Sequence, residues 1–359
     1  MWSTGTDRVH DCSVCMSLIR YCCKVSYIGA RYSGWQSQKD GSGIQDQVES
    51  ALHHICPEKV FVVASGRTDA KVNARQQVFH FDTSRDMADK KWIPAINTFL
   101  PEDIHVTEVH RVPFTFHARH TVRWKRYTYR IHTGMYDVFS KDVAYQCPIP
   151  LDFAKMQEAS KYFVGTHDFT TFNSSSLKEY PDQVRTIFSV DCVQNGQDIS
   201  LTFKGKGFLR YMVRMMSAAL IEVGKGKMSP EEIPVLLEKK CKTAAHRNAD
   251  AHGLTLEEVK YFEVLALSEK GMIREYMHSD SLPEGKNIET LEKEYDTHAD
   301  TVYYVMTTRH EQTPLARIIV TEKGYAIEYM HEDGKVLFEE LQEAFIKRIH
   351  EKGYDREGS

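Results

Sequence analysis

The sequence lacks the features that mark membrane proteins and nucleotide-binding enzymes. Its longest apolar stretches, such as residues 215–223, are much shorter than a membrane-spanning helix, and the amino terminus carries no basic-then-apolar signal segment. No G-x-G-x-x-G or G-x-x-x-x-G-K-S/T motif occurs in the chain. These absences argue against a membrane role and against dinucleotide or ATP chemistry, and they predict a cytoplasmic protein.

Cysteine is present but is not arranged as a disulfide framework or a metal site. The eight cysteines lack the density and regular spacing of a small secreted domain, so we expect reduced thiols. Cys12 and Cys15 form a C-x-x-C, yet no second pair follows at metal-ligand spacing. The 17 histidines form no H-E-x-x-H motif, which argues against a metal-dependent hydrolase. The sequence therefore predicts no metal site.

The net charge of −4 is unevenly distributed along the 359 residues. Residues 267–359 hold 20 acidic and 12 basic residues, a net charge of −8, which leaves residues 1–266 at +4. Nucleic-acid binding depends on lysine and arginine that replace counterions on phosphates, so the first 266 residues suit RNA better. The acidic end is a poor RNA grip, and we expect it to contact another protein or to shield a cleft.

Strand and helix patterns alternate in two successive rounds. The first contains strand patterns at 60–65 and 77–81, and the second contains a hairpin signal at Asn195-Gly196 and an amphipathic helix pattern over 208–223. Such a pattern favours an α+β protein of two related halves with a mostly antiparallel sheet, followed by a small α+β extension. Predicted boundaries are a disordered extension at 1–15, with Met16 as an alternative start, halves at 16–115 and 116–266, a linker at 267–284 and an acidic extension at 285–359.

A polar loop separates the two strand patterns of the first round. It contains Gly66-Arg67-Thr68-Asp69-Ala70, which presents a cation, a hydroxyl and a carboxylate between two strands. Loops on a rigid scaffold often carry reactive groups. An aspartate in a polar loop is, however, more often a turn former that accepts hydrogen bonds from nearby amides. Local chemistry alone therefore leaves the role of this carboxylate open.

An ordered series of motifs resembles the TruA family of tRNA pseudouridine synthases. Residues 65–83, SGRTDAKVNARQQVFHFDT, are similar to the family motif G-R-T-D-A-G-V-H-A, and a series in order is far more specific than one motif. The other matches are Y-x-G-W (32–35), IQDQVESAL (44–52), N-x-F-L-P (97–101), F-H-A-R (116–119), K-R-Y-T-Y (125–129), G-T-H-D-F (165–169), V-R-T-I (184–187), G-x-G-F-L-R-x-M-V-R (205–214) and G-L-x-L-x-x-V-x-Y (253–261).

The resemblance implies a fold, a substrate and an oligomeric state. The expected fold has two ferredoxin-like halves that form one extended, mostly antiparallel sheet flanked by helices, the pseudouridine synthase fold. The expected substrate is tRNA, at uridines just 3′ of the anticodon in the anticodon stem-loop, bound in a basic cleft of a homodimer. No cofactor is implied, because a carboxylate nucleophile can divide the glycosidic exchange into easier steps.

The resemblance also assigns roles to residues of this sequence. Asp69 is the implied nucleophile, and Arg214 pairs with it, which orients the carboxylate and keeps it ionised. Tyr127 stacks on the uracil and assists removal of the C5 proton, and Arg67 helps to extrude the target nucleotide. Attack on the base and attack on the ribose are both open. Candidate contacts to the RNA backbone are His117, Arg119, Arg126, Lys204, Lys206 and Arg210.

Two positions depart from the family pattern. Lys71 stands where the family usually has glycine, and Asn73 stands where histidine is common. We expect altered backbone freedom after Asp69 and a different RNA contact there, but no loss of activity. Two alternatives to this reading are a non-catalytic RNA-binding or chaperone protein that uses the same cleft and a synthase that acts on another RNA site.

Overall fold

A computed structural model describes most of the first 261 residues and five later strands. The described backbone covers residues 18–112, 116–120, 122–178, 180–242 and 248–261, together with strands within 264–329; side chains are described up to residue 261. The predicted extension at 1–15, Met16, and the pair Cys12 and Cys15 lie outside the described residues. So does most of the predicted linker at 267–284.

Ten strands form one large sheet, and helices pack against it. The strands are β1 (Ile19–Tyr27), β2 (Val63–Ala64), β3 (Asn73–Thr83), β4 (Ile104–Val112), β5 (Val122–His132), β6 (Tyr145–Gln146), β7 (Gly165–Asp168), β8 (Val184–Asn195), β9 (Asp198–Gly205) and β10 (Leu254–Tyr261). The helices are α1 (Ile44–His53), α2 (Asp89–Asn97), α3 (Phe153–Ser160), α4 (Met212–Gly224) and α5 (Glu232–Lys239).

The sheet consists of two halves with the same strand order. In the first half the order is β4-β1-β3, with β2 paired to β3, and α1 and α2 are the connections. In the second half the order is β10-β5-β9-β8, with α3 and α4 in the equivalent places. Both follow the β-α-β-β-α-β arrangement of a ferredoxin-like unit. The predicted α+β fold of two such halves is therefore confirmed.

The two halves join through one parallel strand pair. Strand β10 runs parallel to β3, where Thr255 is opposite Asn73 and Leu256 is opposite Ala74. Strand β10 also pairs antiparallel with β5, so the last strand of the second half lies at the centre of the sheet. The loop before β3 and the strand β5 are consequently brought to the same central region.

One face of the sheet forms the core under the helices. In the first half, Trp92 of α2 contacts the rings of Tyr21 and Phe81, with centroids 4.9 and 5.3 Å away. In β5, Tyr127 and Tyr129 are buried, whereas Arg126 on the opposite face is exposed. This is the alternation predicted for a half-buried strand, because successive side chains point to opposite faces.

Two predicted elements are shorter than expected. The strand pattern at 60–65 yields only β2, Val63–Ala64, before the polar loop begins. The helix predicted over 208–223 starts only at Met212, because Tyr211 has a left-handed backbone with φ 62°, which an α-helix cannot include. Apolar periodicity alone does not reveal that break.

The later part of the chain contains two small sheets. Strands β11 (Val264–Leu267) and β12 (Ile273–Tyr276) form a hairpin, and β13 (Thr301–Met306), β14 (Pro314–Thr321) and β15 (Gly324–Tyr329) form an antiparallel sheet. The part of the predicted extension at 285–359 that the structure describes thus contains three strands. Within the parts of the chain that the structure describes, no helix is long and apolar enough to cross a membrane.

Candidate active site

The loop between β2 and β3 presents Asp69 and holds it in place through its own backbone. The amide of Trp35 donates to the carbonyl of Thr68 at 3.1 Å, and the amide of Val72 donates to the carbonyl of Asp69 at 3.1 Å. The hydroxyls of Thr68 and buried Tyr27 are 2.8 Å apart. These bonds fix the backbone on both sides of the carboxylate and leave Arg67 exposed at the surface.

Gly34 allows a second segment to lie directly against this loop. Its φ is +96°, and a Cβ on it would lie 2.6 Å from the carbonyl oxygen of Thr68. Any larger residue would strain the backbone and push the loop away. The glycine of the Y-x-G-W motif therefore supports the position of Asp69.

Asp69 forms an ion pair with Arg214 across the junction of the two halves. The Nη1 atom of Arg214 lies 3.3 Å from Oδ2 of Asp69, and its Nε donates to the carbonyl of Ala249 at 2.9 Å. The side chain of Asp69 is 23% exposed and that of Arg214 is 14% exposed. Burial raises the pKa of Asp69, and the positive charges of Arg214 and Arg210 oppose that rise. A partly desolvated carboxylate therefore faces a fixed guanidinium.

Tyr211 organises the two arginines near this carboxylate. The guanidinium carbons of Arg210 and Arg214 lie 4.8 and 5.0 Å from its ring centroid, in cation–π range. Its left-handed backbone lies immediately before α4, which Arg214 enters in the first turn. Strained residues of this kind often occur at functional sites. Sequence reasoning missed Tyr211, since no sequence pattern signals a left-handed tyrosine.

Tyr127 lies beside the carboxylate on the core face of β5. Its side chain is buried, and its ring meets that of Phe208 edge-on at 5.2 Å. Burial raises the pKa of Tyr127, and the nearby Tyr27 and Asp69 raise it further. The phenol is therefore neutral at physiological pH, as a stacking partner for an aromatic base would be.

Lys125 is a further cation at this site that sequence reasoning did not single out. Its ammonium donates to the carbonyl of Ser65 at 2.6 Å, just before the loop that carries Asp69. Burial and the nearby Arg119 lower the pKa of Lys125 to about 8. The spacing K-x-Y on one strand gave the signal, because it places Lys125 and Tyr127 on the same face.

Comparison with known proteins identifies the family of the chain. A family model described as tRNA pseudouridine synthase matches residues 159–262. tRNA pseudouridine synthase A of Anoxybacillus flavithermus is 41% identical over 240 residues, which cover 67% of this chain and 97% of the relative. The Bacillus licheniformis protein of the same name is 42% identical over 246 residues, 68% of this chain and 99% of the relative. The chain belongs to the tRNA pseudouridine synthase A family.

Solved structures are far less similar. An archaeal box H/ACA sRNP Nop10-Cbf5 complex contains a chain that is 9% identical, with a TM-score of 0.29, over 86% of this chain and 87% of that chain. A Cbf5-Nop10-Gar1 complex is also 9% identical, with a TM-score of 0.30, over 86% of this chain and 84% of that chain. Such weak likeness supports no inference. Family membership rests on the sequence relatives.

Two of the predicted RNA contacts lie on the face of the sheet opposite Tyr127. Arg126 pairs there with Glu258 at 2.8 Å, and the ammonium of Lys204 lies 4.4 Å from the ring centroid of Trp124. The pairing of Arg126 with Lys204 in the β5–β9 register puts both on one face. They are therefore separated from Asp69 by the sheet, and their contact with RNA stays a prediction.

The other predicted RNA contacts lie in two loops, His117 and Arg119 between β4 and β5, and Lys206 and Arg210 between β9 and α4. Arg119, Lys206 and Arg210 are exposed, and His117 is half-buried. Of these, Arg210 is close enough to affect the charge of Asp69. Exposure of long cations is what binding to a phosphate backbone requires, yet it is also ordinary for a protein surface. Their contacts with RNA also stay predictions.

The F-H-A-R segment is clamped onto the sheet by two buried side chains. The amide of Ala118 donates to Nδ1 of His80 at 3.2 Å, and the hydroxyl of Tyr261 donates to the carbonyl of Ala118 at 2.7 Å. The ring of His80 also meets that of His117 edge-on, with centroids 5.0 Å apart. The clamp fixes the backbone from which Arg119 projects.

Both departures from the family motif have structural consequences. Lys71 has φ 64°, a left-handed conformation that a glycine adopts without cost. Asn73 is buried, its amide nitrogen donates to two backbone carbonyls, and its amide oxygen accepts from Gly29. The altered loop expected from the sequence is thus a lysine held in an unfavourable backbone conformation beside a structural asparagine.

Proposed function

We propose that this chain isomerises uridine to pseudouridine in the anticodon stem-loop of tRNA, with Asp69 as the nucleophile. The observation that carries the proposal is the buried ion pair between Asp69 and Arg214, with Tyr127 beside it. These residues stand at the matching positions of the family motifs. The names of the close relatives supply the substrate class, tRNA.

The reaction needs no group other than side chains and RNA. An ionised Asp69 attacks the target nucleoside, the bond between N1 and the ribose breaks, and the uracil turns so that C5 faces the ribose. A carbon–carbon bond then forms, the C5 proton is lost to a base, and the carboxylate is released. Attack on the base and attack on the ribose both begin from the ionised carboxylate.

Arg214 makes the carboxylate available at neutral pH. Burial alone would favour the protonated form of Asp69, whereas the guanidinium 3.3 Å away stabilises the charged form. The second bond of Arg214, to Ala249, fixes the direction of its planar fork. A desolvated but ionised carboxylate is a stronger nucleophile than one surrounded by water.

Tyr127 and Arg67 serve the nucleotide rather than the bond exchange. The neutral ring of Tyr127 offers a stacking surface for the uracil, and we infer that its hydroxyl assists departure of the C5 proton. Arg67 is exposed on the loop, two residues from Asp69, where it can occupy the space that an extruded nucleotide leaves. Removal from the stack must precede chemistry on the base.

The location, oligomeric state and domain boundaries are proposed from the family resemblance and the sequence pattern. The protein is a cytoplasmic homodimer, and each chain has one half at 16–115 and another at 116–266. Residues 285–359 form an acidic extension after a linker at 267–284, and their charge is better suited to a protein partner than to RNA. The candidate backbone contacts His117, Arg119, Lys206 and Arg210 would line the RNA path to Asp69, whereas Arg126 and Lys204 would contact RNA on the opposite face of the sheet.

Release of tritium from tRNA labelled with [5-³H]uridine tests the proposal, because isomerisation expels the hydrogen on C5. We expect release from unmodified tRNA and none after the uridines just 3′ of the anticodon are changed to cytidine. Release that persists in the cytidine tRNA would move the site elsewhere in the molecule. No release from any tRNA, with tRNA still bound, would instead favour the binding-only alternative.

A further inference from the structure

A cavity of about 350 Å³ opens beside the catalytic loop and has no role in the reaction described above. This volume is within the range of pockets that bind small ligands. Its walls include the ammonium groups of two lysines, two phenol rings, two carboxylates and an imidazole, from Lys71, Lys141, Tyr136, Tyr145, Asp142, Asp250 and His252.

The cavity shares its walls with the active site. Lys71 follows Asp69 by two residues, and Asp250 follows Ala249, whose carbonyl holds Arg214. The ion pair between Asp69 and Arg214 is therefore connected to both sides of the cavity through one or two backbone steps. A group bound here would lie next to a nucleotide held at Asp69.

Asn73 does not line this cavity, but it fixes the backbone of two residues that do, Asp142 and His252. Its Nδ2 donates to the carbonyls of Asp142 and His252, both at 2.9 Å, and its Oδ1 accepts from the amide of Gly29 at 2.7 Å. Asn73 is only 2% exposed, so the hydrogen bonds of its side-chain amide are protected from water. One of the two departures from the family motif thus shapes the cavity.

Lys71 is the other departure, and it supplies a charge to the cavity. Its left-handed backbone is unfavourable for lysine but not for glycine. Among residues 18–261, as far as the structure describes them, neither Lys71 nor Lys141 forms an ion pair, and both are exposed. A backbone cost combined with an unpaired cation suggests that the side chain has a ligand.

We propose that this cavity binds a nucleotide of the substrate RNA that flanks the target uridine. Lys71 and Lys141 contact its phosphate, and Tyr136, whose side chain is 68% exposed, stacks against its base. Cations on phosphate and an aromatic ring on an unstacked base are the usual means of holding single-stranded RNA. The inference rests on the proposed function and adds a determinant of RNA affinity.

Lys71→Gly tests this inference without harming the fold, because glycine suits φ 64° better than lysine does. We expect KM for tRNA to rise about 5- to 10-fold with kcat within twofold, and the salt dependence of binding to weaken by about one phosphate contact. Lys71→Arg, which keeps the charge, should restore most of the affinity. Tyr136→Ala should raise KM as well, and Tyr136→Phe should not.

Lys240→Gly is the matched control, since Lys240 is also an exposed lysine with a left-handed backbone, φ 45°, but does not line this cavity. It should leave KM unchanged. If the wild type is active and Lys71→Gly has the same KM and salt dependence, the inference is overturned and the proposed function is left intact. A fall in kcat alone would also overturn it, since the loop backbone would then be what matters. Wild-type protein inactive on every tRNA would mean that the proposed function itself fails.

Discussion

The two halves of the sheet share one strand order but differ at the connection between their second and third strands. In the second half, β8 and β9 are joined by the tight turn at Asn195-Gly196. In the first half, β2 has only two residues, and a loop of eight residues, 65–72, leads into β3. That loop carries Asp69. The first half therefore has little strand pairing at this connection and a long loop that carries Asp69, whereas the second half has a regular hairpin there.

The second half contributes in return the groups that control the carboxylate. Arg214 comes from α4 and Tyr127 from β5, and both meet the loop where β10 joins β3. Neither half has a complete site by itself. The parallel pair at the centre of the sheet is therefore what assembles the chemistry.

Loss of Arg214 should break the link between the halves most severely. We expect Arg214→Ala to lower kcat about 10²- to 10³-fold, by analogy with loss of one preorganised charge-stabilising group. Because Arg214 lowers the pKa of Asp69, its removal raises that pKa, and the acid limb of the pH–rate profile shifts to higher pH. Arg214→Lys should be intermediate, since a single ammonium nitrogen does not reproduce the two separate nitrogens that reach Asp69 and Ala249.

Arg130→Ala is the control for this variant, because Arg130 pairs with Glu257 at 2.7 Å in the same half. Its activity should stay within about twofold and its stability within about 1 kcal/mol of the wild type. Equal activity losses in Arg130→Ala and Arg214→Ala would show that the effect is a general weakening of the second half.

Two glycines, one packed against the β2–β3 loop and one within the β8–β9 turn, should respond differently to alanine. Gly34→Ala combines a φ of +96° with a 2.6 Å contact to the loop that carries Asp69, and we expect a loss of about 2–3 kcal/mol in stability with about tenfold lower kcat. Gly196→Ala has φ +60° and nothing within 4 Å, so about 1 kcal/mol should be lost with unchanged kcat. Urea unfolding and tritium release measure both; a normal kcat in Gly34→Ala would contradict the supporting role.

His80 should make the first half sensitive to acid. Burial, followed by the charges of Arg20, His117 and His120, lowers the pKa of His80 to about 3, from an unfolded value of about 6.5. Between these values only the unfolded chain takes up a proton, so stability falls as the pH drops from about 6.5 towards 3, by up to about 1.4 kcal/mol per pH unit. In the second half, a partly buried pair of polar side chains on the neighbouring strands β5 and β9 consists of Thr128 and Thr202, whose hydroxyls do not titrate.

His80→Asn keeps an acceptor for Ala118 but removes the titrating ring. Its free energy of unfolding should fall less steeply than that of the wild type between pH 7 and pH 5, as measured by urea unfolding at each pH. Parallel slopes for the two proteins would show that His80 is not the acid-sensitive group.

Much of this architecture was predictable, because periodicity is a strong signal and the motif order is specific. Asn195-Gly196 correctly marked a hairpin, and the amphipathic pattern over 208–223 correctly marked most of α4. Motif matching also selected Asp69 and Arg214, whose 3.3 Å contact spans 145 residues of sequence. Only the resemblance, and no local pattern, could relate residues so far apart.

The parts that could not be predicted depend on backbone conformation and burial. The left-handed backbone of Tyr211 shortened α4, and the same conformation at Lys71 turned an expected loop change into a strained lysine. The position of Lys204 on the opposite face from Asp69 followed from register, which a motif does not encode. The hydrogen bond from Lys125 to Ser65 is likewise a tertiary contact.

The most direct test of the central claim compares wild type and Asp69→Asn for release of tritium from [5-³H]uridine-labelled tRNA, at tRNA concentrations shown to saturate both proteins. The amide keeps the size of the side chain but cannot act as a carboxylate nucleophile. We predict release by the wild type and none by Asp69→Asn, with tRNA affinity and thermal stability preserved. Release by Asp69→Asn at a rate near that of the wild type would contradict the account, because the carboxylate would then not be the reacting group.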